Sequence, residues 1–181
     1  MNFCSACGQR VDLRIPEGDT LPRYVCGSCQ AIHYENPKIV VGCVPELDDG
    51  RILLCRRAIE PRRGYWTVPA GFMENDETLQ AGAARESLEE ALAHVEIGSM
   101  LAVVHVLHAQ QVHIMFRARM ASPGFGVGAE SLEVVPYPRA EIPWTELAFR
   151  SVDFSLRRYF DDVDAGTERL HYCDIDLRRE R

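Results

Sequence analysis

The stretch that decides the fold runs Gly71-Phe72-Met73-Glu74-Asn75-Asp76-Glu77, then seven residues, then Arg85-Glu86-Ser87-Leu88-Glu89-Glu90. Thr78 to Leu92 is helical in composition, with alanines and an expected acidic first turn. On such a helix Glu86, Glu89 and Glu90 stand at i, i+3 and i+4 and share an arc of about 100°. The reading puts Ala84, Ser87, Leu88 and Ala91 on the opposite side, as the packing face. Two carboxylates ~6 Å apart at an effective dielectric of 20 repel by about 3 kcal/mol. A hard divalent cation turns that repulsion into binding. An all-oxygen set with no His or Cys beside it selects Mg²⁺ or Mn²⁺, which commonly complete their shell with water and substrate phosphates. Taken alone, three acids on a helix are more often a solvated face with an Arg85–Glu89 pair; the wider pattern has to decide.

A second motif lies at the start of the chain. Cys4-Ser5-Ala6-Cys7 and Cys26-Gly27-Ser28-Cys29 form two C-x₂-C knuckles, with Gly8 and Gly27 suited to the turns. Four thiolates at that spacing satisfy Zn²⁺ completely, so the expected site is structural. A segment of this size builds little core, and zinc would supply its folding energy, on the order of 10 kcal/mol. Up to Pro37 the segment carries Arg10, Arg14 and Arg23 against Asp12, Glu17, Asp19 and Glu35, so it offers no clustered positive charge for phosphates. Cys43, Cys55 and Cys173 have no partner in sequence and read as structural thiols.

The whole chain of 181 residues carries 20 basic and 27 acidic residues, a formal net charge of -7, which disfavours a nucleic-acid groove. No apolar run approaches the ~20 residues that span a bilayer, and the start has no signal-peptide pattern, so the expected location is cytoplasmic. Asn36-Pro37 reads as a joint. The expected organisation is a ribbon over residues 1–36, a main domain over 37–165 and a polar tail over 166–181. Strands are expected at Lys38–Val44, Arg51–Arg57 after an Asp48-Asp49-Gly50 turn, Trp66–Val68, Val95–Leu107, Val112–Met120 and Leu132–Val135. Helices are expected at Trp144–Phe149 and Val152–Val163. The mixture reads as α+β.

The pattern Gly71-x₅-Glu77-x₇-Arg85-Glu86-x₂-Glu89-Glu90 resembles the Nudix box, G-x₅-E-x₇-R-E-U-x-E-E-x-G-U with U a bulky aliphatic. A chance match of those six positions somewhere in the chain is on the order of 10⁻⁵. Ser87, Leu92 and Ala93 depart from it, at packing and helix-exit positions. With the four-Cys ribbon, YENPKIVVGCV from Tyr34, RILLCRR from Arg51, GYWTVPAGFMENDET from Gly64, FGVGAESLEV from Phe125 and EIPWTELAF from Glu141, the chain resembles the zinc-ribbon-bearing Nudix subgroup. Within it the chain is similar to plant-type FAD/ADP-ribose pyrophosphatases, over roughly Phe3 to Tyr172. The resemblance implies a Nudix-type α/β/α sandwich with a mixed sheet. It implies Mg²⁺-dependent hydrolysis of a nucleoside diphosphate linked to a second moiety, FAD or ADP-ribose favoured, to two monophosphates, and a homodimer.

By position, the resemblance makes Glu86, Glu89 and Glu90 the Mg²⁺ ligands, helped by the Gly71 carbonyl. Arg85 orients the carboxylates and Glu77 braces the loop. The general base is Glu86 or a loop carboxylate, Glu130 or Glu133. Tyr65, Phe72 and Phe125 are candidates for stacking on a base. NADH pyrophosphatases of the same subgroup carry an SQPWPFP-like segment, absent from HVLHAQQVHIMFRAR at His105–Arg119, which ranks NADH and NAD-capped RNA lower. His105, His108 and His113 are scattered over this segment and read as structural or substrate-adjacent rather than as a zinc site. The remaining alternatives are sanitation of a damaged nucleoside triphosphate, and a non-catalytic nucleotide-binding or scaffold protein.

Overall fold

The computed structural model describes residues 1–179. It divides into two compact units, the second beginning at Lys38.

The first unit is a three-stranded antiparallel sheet of β1 (Val11–Arg14), β2 (Arg23–Cys26) and β3 (Ile32–His33), in that order. Each knuckle closes on a left-handed residue four positions after its first cysteine. Gly8 (φ +74°) donates its N–H to the Cys4 carbonyl at 2.9 Å, and Gln30 (φ +61°) to that of Cys26 at 3.0 Å. The second knuckle therefore turns on Gln30, and Gly27, expected in that role, has no positive φ.

In the second unit a mixed sheet runs β10-β5-β4-β9-β8-β11. Its strands are β4 (Lys38–Glu46), β5 (Ile52–Arg57), β8 (Val95–Val106), β9 (Gln111–Met120), β10 (Ser131–Tyr137) and β11 (His171–Ile175). Short strands β6 (Trp66–Thr67) and β7 (Ala70–Phe72) pair with β5 and β4. The β4–β9 and β8–β11 pairs are parallel. Alternation along the strands sends side chains to two buried faces. Val44, Ile52, Leu54 and Met115 pack with Val152, Leu156 and Phe160 of α2 (Arg150–Ala165). Val41, Cys43, Phe116 and Ala118 pack with Ala83 of α1 (Leu79–Ala91). A sheet covered on both faces explains why KIVVGCV and ILLC read as continuous apolar runs. The Nudix-type sandwich expected from the sequence is thus present.

Three local readings differ. The expected helix at Trp144–Phe149 is one 3₁₀ turn, Trp144–Glu146, followed by extended chain whose Ala148 N–H donates to the Trp66 carbonyl at 2.7 Å. The segment 166–181, expected as a polar tail, supplies β11, registered from His171 against Ala102 to Ile175 against Val106. That segment is anchored on buried Asp162, which accepts from Arg117, from the Arg169 N–H at 3.1 Å and from His171 Nε2 at 3.0 Å. No helix among the described residues is long and apolar enough to cross a membrane.

α1 differs from its expected amphipathicity. Its buried residues are Gly82, Ala83, Glu86, Ser87, Glu90 and Ala91, whereas Leu88 is 40% exposed. The packing face thus includes two of the three carboxylates. The helix begins on Thr78, whose Oγ1 accepts from the Ala81 N–H at 3.1 Å, and ends on Leu92 at φ +47°. That left-handed exit is where the Nudix box places glycine. A residue with a Cβ there costs on the order of 1 kcal/mol. Leu92→Gly is accordingly expected to stabilise the protein by about 0.5–1 kcal/mol, less the greater freedom glycine gives the unfolded chain. Denaturant unfolding at unchanged m-value checks this, and a loss of stability would show that Leu92 packing outweighs the strain.

Candidate active site

In the first unit, Cys4, Cys7, Cys26 and Cys29 present sulfurs all within 4.8 Å of one another. Cys4–Cys29 and Cys7–Cys26 stand at 3.6 and 3.5 Å. Zn–S bonds of about 2.3 Å in a tetrahedron place sulfurs about 3.8 Å apart, so the thiols fit Zn²⁺. Backbone N–H groups of Ala6 and Cys29 donate to Cys4 and Cys26 at 3.4 and 3.5 Å, as outer-shell support. His33 Nε2 stands 3.2 Å from the Cys4 sulfur, a neighbour that nothing in the knuckle spacing announced.

In the second unit, Arg85 organises the acids. Its Nε and Nη2 grip Glu77 at 3.0 and 2.7 Å, Nη1 donates to Glu86 at 2.7 Å and Glu89 at 2.9 Å, and Nη2 also reaches the Phe72 carbonyl at 3.1 Å. Glu77 further accepts the Glu74 N–H at 2.8 Å. These bonds, Arg85 foremost, hold the Glu77 carboxyl down to about 2. Glu77 thus ties the loop before α1 to the helix through Arg85. A side chain on Gly82 would meet Glu77 Oε1 and Val41 Cγ2, each at 2.7 Å. A side chain on Gly71 would overlap the Glu86 carboxylate itself. The space that Gly71 leaves open is thus filled by the Glu86 carboxylate.

Glu86 and Glu90 are buried, and burial raises both carboxyls. For Glu86 the Arg85 hydrogen bond opposes the rise. Glu90 is pushed up to about 8, with the Ala70 N–H opposing at 3.2 Å and repulsion from Glu86 adding. One oxygen of each acid is engaged: Glu86 and Glu89 by Arg85, Glu90 by Ala70. The other oxygen of each has no hydrogen bond among the described residues. Three carboxylate oxygens without donors, side by side at one cleft, suit a cation, and an all-oxygen set suits Mg²⁺ or Mn²⁺. The acids are not gathered as tightly as the thiols, which are the one such cluster among the described residues.

The acids line a cleft of about 660 Å³ with Arg57, Phe72, His113 and Glu130. The loop before β10 is held against the end of α1: Gly126 and Gly128 donate to the Ala91 and Glu90 carbonyls at 2.7 and 3.1 Å. A side chain on Gly128 would overlap the Glu89 carbonyl. This docking puts Glu130 in the cleft, and the glycines of FGVGAE were its only signal in sequence. Glu133 points elsewhere: it pairs with Arg56 at 2.8 Å on the exposed side of β10. Tyr65 and Phe125 are not among the lining residues, and Tyr65 lies under Arg62 at 5.4 Å. The three histidines do not converge. His105 faces Asp174 at 3.5 Å, His108 stands 3.5 Å from the Leu177 N–H, and His113 joins Ser151 and Gln111 at 2.9 Å each.

Residues 2–35 match the Nudix N-terminal zinc-ribbon family and residues 36–142, more than half of the chain, the NUDIX domain family. The chain belongs to the Nudix hydrolase family. It is 54% identical to a NUDIX hydrolase of Nitrosomonas europaea, whose crystal structure it matches with a TM-score of 0.93 over 97% of this chain and 99% of that one. It is 37% identical to a MutT-like protein of Streptomyces ambofaciens over 130 residues, 70% of this chain and 77% of that protein. It is also 37% identical to the NAD-capped RNA hydrolase NudC of Vibrio parahaemolyticus over 98 residues, 53% of this chain. That match spans only 35% of NudC.

Two outcomes follow. Chelation of zinc is expected to unfold the ribbon while the Nudix domain stays folded, because each is a compact unit. Loss of amide protection confined to residues before Lys38 would show it; simultaneous loss in both units would refute it. Burial lowers the His113 ring to about 4, against about 6.5 when unfolded. The unfolded chain then binds the extra proton between those values, so His113 favours the fold above pH 6.5 and loses its contribution, on the order of 3 kcal/mol, as pH falls to about 4. His113→Gln is expected to flatten stability against pH in that window, measured by denaturant titration.

Proposed function

We propose that the chain hydrolyses the pyrophosphate bond of a nucleoside diphosphate joined to a second moiety, with FAD or ADP-ribose as substrate, to give two monophosphates. The observation that carries the reading is the Arg85-braced acid set of α1, which keeps one oxygen each of Glu86, Glu89 and Glu90 free in a nucleotide-sized cleft. A divalent cation, Mg²⁺ or Mn²⁺, held there supplies charge neutralisation at the phosphates and acidifies a water. Arg85 and Glu77 hold the acids in position, and Gly71 gives Glu86 its room. The proton of the attacking water goes to Glu86 or to Glu130; Glu130 is preferred over Glu133 because it lines the cleft. Phe72, on the cleft wall, stacks on a base or flavin ring, a role Tyr65 is not placed to share. Zn²⁺ in the ribbon is structural, and two copies associate.

A second reading has support of its own. NudC proteins, named as NAD-capped RNA hydrolases, match this chain over about half its length, so NADH and NAD-capped RNA stay in the substrate set although the SQPWPFP-like segment is missing.

The test is turnover of FAD, ADP-ribose, NADH, NAD-capped RNA and nucleoside triphosphates with Mg²⁺, beside a Glu86→Gln, Glu90→Gln double variant. FAD or ADP-ribose should give two monophosphates, with at least a 10³-fold loss in the variant. Pyrophosphate released from triphosphates alone, or cleavage of NADH alone, would overturn the substrate assignment.

A further inference from the structure

The cleft has two arginines in its wall, Arg85 and Arg57, and their hydrogen bonding differs. A guanidinium has five N–H donors. Arg85 commits all five to Glu77, Glu86, Glu89 and the Phe72 carbonyl. It has none left for a ligand. Arg57 is only 8% exposed, yet it commits one, from Nε to the Pro61 carbonyl at 2.9 Å. No carboxylate forms an ion pair with it among the described residues. Its neighbour Arg56 shows the ordinary alternative, a partly exposed arginine paired with Glu133.

The Arg57 side chain is also held still. Its guanidinium lies 5.1 Å over the Phe149 ring. Its backbone N–H donates to the Tyr65 carbonyl and its carbonyl accepts from the Gly64 N–H, both at 2.9 Å. Its other four N–H donors have no protein acceptor among the described residues and open on the cleft, near enough to Glu90 for the Arg57 charge to oppose the rise of that carboxyl; there a ligand's oxygens can take the place of water. A fixed planar fork matches the geometry of phosphate oxygens.

We propose that Arg57 is a substrate-binding residue whose free guanidinium edge takes the diphosphate of the nucleotide, opposite the acids of α1. The ligand's identity rests on the pyrophosphatase reading, but the binding does not require turnover. The arrangement divides the work. Arg85 holds the carboxylates, and Arg57 holds the anion that the carboxylates alone would repel.

The test is calorimetric titration of the zinc- and Mg²⁺-loaded full chain with α,β-methylene-ADP, inorganic pyrophosphate, inorganic phosphate and adenosine. Wild type is compared with Arg57→Gln and Arg57→Lys. Arg57→Gln should weaken α,β-methylene-ADP by about 10- to 100-fold, with Arg57→Lys in between and adenosine unchanged. In turnover, the same factor should fall on KM, with kcat within about threefold. A folded Arg57→Gln protein that binds within twofold of wild type overturns the proposal. So does an Arg57-dependent site for inorganic phosphate with which the nucleotide does not compete. Should Arg57→Gln not fold, the side-chain N–H signals of Arg57 in the wild type, assigned with Arg57→Lys, decide instead; no shift on adding the nucleotide overturns it. Arg57-dependent binding without hydrolysis of any dinucleotide keeps this proposal and sinks the pyrophosphatase reading. Hydrolysis with unchanged KM in Arg57→Gln does the reverse.

Discussion

The Arg85 guanidinium is the constraint on which the second unit's chemistry depends. Three acids on one turn and a half of helix repel, and two of them are buried, where repulsion and desolvation both grow. One cation with five donors in a plane answers this by taking one oxygen each from Glu86 and Glu89 and both from Glu77. The glycines follow from that arrangement. Gly71 leaves the space that the Glu86 carboxylate fills, and Gly82 lets the Glu77 carboxylate lie against the helix. A lysine at position 85 would keep the charge and lose the geometry, because one ammonium cannot hold three carboxylates and a carbonyl in fixed directions.

The helix that carries Arg85 is inverted. An ordinary surface helix buries leucines and exposes glutamates. α1 buries Glu86 and Glu90 and exposes Leu88 and Leu92. Its contact with the sheet is made through Gly82, Ala83, Ser87 and Ala91, small residues that let the backbone come close enough to deliver the carboxylates into the cleft. Ser87 sits where the box has a bulky aliphatic, and among the described residues its buried hydroxyl finds only the weakly bonding Cys43 thiol beside it. The helix gives up packing energy at these positions, and the larger core on the other face of the sheet, built on Val44, Ile52, Leu54, Leu101 and Leu156, makes that tolerable.

What was legible in the sequence was local. The knuckles and the box are fixed-spacing motifs, and the strands Lys38–Glu46, Ile52–Arg57 and Gln111–Met120 carry dense β-branched or apolar runs. What was not legible depends on pairing between distant segments. β11 looks polar because it is an edge strand, and its reason for being there, the Asp162 cluster with Arg117, Arg169 and His171, spans three elements. β7 is too short to show a period. The helical face was misjudged because the rule that apolar residues face inward fails where function puts charges inside. Glu130 and Glu133 were indistinguishable in sequence for a related reason. They lie three residues apart across an irregularity in the register of β10, and only the docking of Gly126 and Gly128 on α1 sends one to the cleft and the other to Arg56.

The sign of the cleft is the last step. The chain carries a net charge of -7 and crowds carboxylates around a site that suits a polyanion. A diphosphate approaching that wall meets repulsion unless positive charge is already present. Arg85 cannot supply it, since its donors are taken up by the acids. Burial raises the carboxyls of Glu86 and Glu90, so placing both as carboxylates in the cleft wall is unfavourable without a cation beside them. Arg57 offers one such charge, and a divalent ion held by Glu86, Glu89 and Glu90 would add to it: it would reverse the local field, so that carboxylates that repel an anion would hold the charge that attracts one.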